Sequence, residues 1–72
     1  MKENESDLHN QIKEALEKQF PDLKPKIAKV SENSFIYELE KHDNYTYFSV
    51  EYKRSANGIL TIDWANAQLT VI

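Results

Sequence analysis

The chain has 72 residues, enough for one domain spanning 1–72, and it contains no cysteine, so disulfides and thiolate metal sites are excluded. Nine Lys or Arg against twelve Asp or Glu leave a net charge of −3, which argues against electrostatic capture of nucleic acid or anionic lipid. No apolar run approaches the roughly 20 residues of a membrane helix. No apolar region near Met1 reads as a signal peptide, so the expectation is a cytoplasmic protein with no membrane partner.

In chain order, Met1 to Glu5 is polar and reads as a disordered end. Ser6 is a candidate N-cap, with Asp7 where the helix dipole favours an anion. Leu8, Ile12, Ala15, Leu16 and Phe20 recur at helical spacing and predict an amphipathic helix from about Ser6 to Phe20. Pro21 ends it by forcing Phe20 out of the α region. Pro21 to Lys26 is a connector, and Lys24, Lys26 and Lys29 read as a short, solvated basic link.

Beyond the connector the period changes from 3.6 to 2. Ile27 to Ser31 suits a first short strand, and Ser31-Glu32-Asn33-Ser34 a turn. Phe35 to Glu40 alternates as a half-buried strand, Lys41 to Asn44 connects a hairpin, and Tyr45 to Lys53 is the longest strand. Asn57-Gly58 is a strong local signal for a tight hairpin, since both residues tolerate positive φ. Ile59 to Trp64 is a further strand. Ala65-Asn66-Ala67 is either a turn before a fifth strand, Gln68 to Ile72, or a bulge within one long strand.

These elements predict an α+β fold, with one N-terminal amphipathic helix packed on a four- to five-stranded antiparallel meander. The helix stripe requires an apolar sheet face. Phe35, Tyr37, Leu39, Phe48, Val50, Tyr52, Leu60, Ile62, Trp64, Leu69 and Val71 are assigned to that face.

The residues of catalysis are sparse. His9 and His42 are the only histidines and neither has local partners for a metal or a nucleophile. A single glycine rules out a Gly-rich phosphate loop. No cofactor and no enzymatic activity are therefore expected.

The face assigned away from the helix is more informative. It carries Glu38, Glu40, Glu51 and Asp63 together with Ile36, Tyr45, Tyr47, Ile59, Thr61, Thr70 and Ile72. Carboxylates on an exposed sheet keep it wet, and they act as acid–base catalysts only when one is desolvated. The tyrosines and isoleucines exceed what a purely solvated face needs, and tyrosine is enriched at protein interfaces. The expected function is a small inhibitor or adaptor of the kind that bacteria, phages and mobile elements encode. It would bind a protein with a basic surface through Tyr45 and Tyr47 as anchors, with Glu38, Glu40, Glu51, Asp63 and Ile36 around them. An acidic face imitating nucleic acid is one variant of this reading. A homodimer through the face or an edge strand is the alternative, and a single-stranded nucleic-acid platform ranks lower because carboxylates repel phosphate.

Overall fold

The computed structural model describes residues 3–71, with side chains from Asp7 to Val71. Met1, Lys2 and Ile72 lie outside the described residues, and with them part of the expected disordered end and the open-face place assigned to Ile72.

Helix α1 spans Glu3–Gln19. It starts three residues before the candidate cap, so Ser6 lies inside the helix and residues 3–5, expected to be disordered, are helical. Adding residues to an existing helix is far easier than nucleating one, so a polar stretch is no barrier to extension. The apolar stripe behaves as its spacing predicts. Ile12 and Leu16 are fully buried, and Leu8 and Phe20 pack at the margin of the core. Phe20 N–H still donates to Leu16 O at 2.8 Å before Pro21 turns the chain away.

Five strands follow: β1 Lys26–Val30, β2 Ser34–Lys41, β3 Asn44–Arg54, β4 Leu60–Ile62 and β5 Gln68–Thr70. All pairings are antiparallel, in the order β1-β2-β3-β4, with β5 also on β3. Thus β4 and β5 lie in line along the same side of β3. Between them Trp64–Asn66 forms a single 3-10 turn. Tyr52 faces Ile62 and Ser49 faces Gln68, so five residues on one side span two on the other. The turn with a fifth strand is therefore the alternative that holds, and the bulge within one long strand does not, although β4 and β5 lie in line.

The β2–β3 hairpin closes through His42-Asp43, both at positive φ, 53° and 66°. That is the two-residue turn whose twist matches the flanking strands. The β3–β4 loop is wider. Gly58 N–H donates to Ser55 O at 2.9 Å and Ser55 N–H to Ile59 O at 2.9 Å, while Gly58 alone carries the positive φ, 83°. Asn57-Gly58 therefore marks a turn, but not the two-residue kind.

The core lies between α1 and one sheet face, on Phe35, Tyr37, Val50 and Tyr52. Burying each of its large apolar side chains contributes about 1.5–3 kcal/mol. Trp64 is held over this face from the 3-10 turn rather than from a strand, edge-on to Phe20 and Tyr37 at 5.6 and 5.7 Å. Burial raises the Tyr37 phenol above its ordinary value, while Tyr52 Oη donates to Ser31 O at 2.6 Å. At the other end of the helix, Gln11 Nε2 donates to Gly58 O at 2.9 Å and Arg54 pairs with Asp7 at 3.1 Å.

Two assignments to the core fail. Leu69 is 71% exposed and Val71 is 91% exposed. Leu69 does share a face with Phe48, its partner across the ladder, but the helix does not reach it. Phe20, one residue beyond the last turn, stacks on Tyr37 of β2 at 5.5 Å, and β5 lies two strands further across the sheet.

Candidate functional site

The register assembles the open face from ladders that cross the sheet. One runs Lys26–Glu38–Tyr47–Thr70, and the next runs Lys29–Ile36–Ser49–Gln68. Beyond the first, towards the β2–β3 turn, Glu40 stands opposite Tyr45. Five of the seven candidate residues (Ile36, Glu38, Glu40, Tyr45 and Tyr47) are thereby brought into one contiguous strip on adjacent strands.

The strip has a defined internal bond. Tyr47 Oη donates to Glu38 Oε2 at 2.9 Å. The Tyr47 phenol is raised above its ordinary value, first because that bond favours the protonated hydroxyl, then through slight desolvation and the nearby Glu38 charge. Tyr45 is 56% exposed, whereas Ile36, Glu38, Glu40 and Tyr47 are half-buried among their neighbours. Of the two tyrosines, Tyr45 is the more exposed and Tyr47 is held by its hydroxyl.

Glu51 and Asp63 do not join this strip. Glu51 faces Ser34 and lies four residues along β3 from Tyr47, roughly 14 Å at strand rise. Asp63 sits just before the 3-10 turn, where its carboxylate accepts a bond from Asn66 Nδ2 at 2.6 Å. Its N–H donates to Glu51 O at 3.0 Å. The pair borders a shallow concavity with Asn33, Lys53 and Thr61 at the other end of the open face. The seven residues form two groups, not one.

Lys26 and Lys29, expected in a solvated link, are exposed but stand on the sheet itself. Both belong to β1 and both lie on the open face, opposite Glu38 and Ile36. Strict alternation would separate residues three apart, but the register shifts between Ile27 and Lys29. This bulge returns both lysines to one side. The available signal was the matching spacing of Ile27 and Val30, both half-buried against the core.

Elsewhere, His9 and His42 are both exposed. They belong to opposite ends of β3: His9 lies two residues from Asp7, which holds Arg54, and His42 is in the turn before Asn44. No group of three potential ligands for a metal ion occurs among the described residues. No helix there is long and apolar enough to cross a membrane. Comparison with protein-family models, with curated proteins and with solved structures finds no match.

Proposed function

We propose that the chain is a non-enzymatic protein-binding module, of inhibitor or adaptor type, that docks a basic partner surface on the strip Glu38, Glu40, Tyr45 and Tyr47. The observation that carries this reading is the pairing of Glu40 with an exposed Tyr45, beside Tyr47 already bonded to Glu38. A ring anchored next to a carboxylate supplies what an arginine or lysine of a partner needs, an aromatic face and an anion within one side chain's reach. These residues stand on the two longest strands of the sheet, which pair without interruption from Ser34↔Glu51 to Lys41↔Asn44. Residues held in a paired ladder have less freedom to lose on binding than residues in a loop.

Lys26 and Lys29 do not turn the face into a nucleic-acid platform. On the register, Glu38 stands between Lys26 and Tyr47, so a phosphate chain crossing from the lysines to the rings passes over a carboxylate. The lysines instead bound the acidic strip on one side and orient a partner on it.

The test compares the wild-type chain with a Tyr45→Ala/Glu40→Lys variant in affinity capture from host lysate, followed by direct titration of each captured protein. A partner with a basic surface should lose at least about tenfold in affinity with the variant, and the wild-type complex should weaken with salt. If every captured protein binds the variant as tightly as the wild type, the strip is not the docking surface. Salt-sensitive binding of single-stranded nucleic acid instead would replace the reading altogether.

A further inference from the structure

Among the described residues the sheet has two free edges, and they are unlike. At one, β1 carries Lys26 and Lys29 and is interrupted by a bulge, and charge and bulging are the means by which edge strands resist pairing. At the other, β5 has β3 as its one strand neighbour among the described residues. Gln68, Leu69, Thr70 and Val71 include no charge and no proline. On the helix side of this edge, Leu69 and Val71 are the two most exposed large apolar residues described.

The hydrogen-bond phase of β3 shows which β5 groups face outward. Asp63 N–H donates to Glu51 O and Ser55 N–H to Ile59 O, so the odd-numbered residues of β3 and its extension bond towards β4 and β5. Tyr52 N–H donates to Asn33 O, so the even-numbered ones bond towards β2. Phe48 is even, and its partner on β5 is Leu69. Leu69 is therefore in a non-hydrogen-bonded pair with β3, and its own N–H and C=O point to the free edge.

We propose that β5 is a self-association strand. Two copies pair β5 to β5 in antiparallel fashion about a two-fold axis at Leu69. The geometry points to a second copy because this strand is complementary to itself. Centred on Leu69, the two Leu69 residues exchange both backbone bonds. On the helix side, Ala67 meets Val71 of the other copy and Leu69 meets Leu69. On the open side, Gln68 meets Thr70, two groups that hydrogen-bond to one another. Each copy carries −3, yet no charge falls within this pairing, so like-charge repulsion is small. The antiparallel pairing joins two sheets into one with both open faces on the same side, so the strips around Tyr45 are presented in duplicate. Nothing in this pairing depends on what those strips bind.

The experiment is sedimentation equilibrium of the full chain from about 1 µM to 1 mM, with Leu69→Lys and Val71→Lys as variants. An edge this short buries less than a standard interface, so association in the micromolar range is expected. The wild-type mass should rise from 8.4 kDa towards twice that value. Both variants change exposed side chains and should stay monomeric, with unchanged circular dichroism. Tyr45→Ala should associate as the wild type does. A wild-type monomer at 1 mM overturns the proposal. So does a dimer that survives both lysine variants, or one that Tyr45→Ala abolishes.

Discussion

Tyr47 Oη donates a hydrogen bond to Glu38 Oε2 at 2.9 Å across the β2–β3 ladder, and this bond couples the open face to alkaline pH. Ionising the phenol would set two anions against each other, so the folded chain holds the Tyr47 proton above the ordinary value of about 10. Burial does the same at Tyr37. In both cases the folded state binds its proton more tightly than the unfolded chain does. The stabilisation is therefore complete below about pH 10 and is lost as pH rises through the folded values. Glu38→Gln should bring one late-titrating tyrosine earlier in a phenolate absorbance titration, and Tyr47→Phe should remove it. An unchanged late titration in Glu38→Gln would mean that the bond does not hold the proton.

Leu16 is one of the two positions at which the helix is most exposed to loss. It is 1% accessible and, with Ile12, is one of only two fully buried helix residues described. Leu16→Ala removes buried methyl groups and leaves a cavity, at about 2–5 kcal/mol. A domain of this size has on the order of 4–11 kcal/mol in total. Urea unfolding should show a sharp fall in the midpoint, and Glu17→Ala, on the exposed side of the same turn, should leave it nearly unchanged.

Arg54 and Asp7 make a 3.1 Å pair that joins the start of the helix to the end of β3, but their side chains are 29% and 66% exposed. Water and salt screen such a pair, and it contributes no more than about 1 kcal/mol. Arg54→Ala should cost that much at low salt, and the difference from wild type should shrink as sodium chloride is added. A larger, salt-independent loss would show that the arginine stem, not its charge, matters there.

The fold was legible because the helix, β2 and β3 each carry one period. Ile12 and Leu16 at helical spacing and Phe35, Tyr37, Val50 and Tyr52 at alternating spacing occupy the core assigned to them. What the pattern could not supply was extent. Leu69 has the correct parity for the core face, yet the end of the helix lies over Tyr37 of β2, in the same row but two strands away. Parity determines a side, whereas coverage depends on which strands the helix crosses. The open face shows the converse. Alternation placed Ile36, Glu38, Glu40, Tyr45 and Tyr47 together, but only the cross-strand register shows that Glu51 and Asp63 stand apart from them. Lys26 and Lys29 were hidden by a bulge, which a strict period of two cannot express.

The two hairpin turns make opposite demands on glycine. Gly58 sits at φ 83°, and a Cβ added there would meet nothing within 4 Å. The space is open, so the cost of Gly58→Ala comes from the backbone alone: about 1–2 kcal/mol for a left-handed conformation, offset by about 0.4–1 kcal/mol because alanine stiffens the unfolded chain. His42 and Asp43 hold the same region, at 53° and 66°, without being glycine. Asp43→Gly relieves that strain, but it also loosens the unfolded chain, by about 0.4–1 kcal/mol. The net gain should be a few tenths to about 1 kcal/mol, in the opposite direction to Gly58→Ala. Denaturation midpoints of the two single variants check the signs. Because the turns lie at opposite ends of β3 and share no contact, the double variant should equal their sum to within about 0.5 kcal/mol.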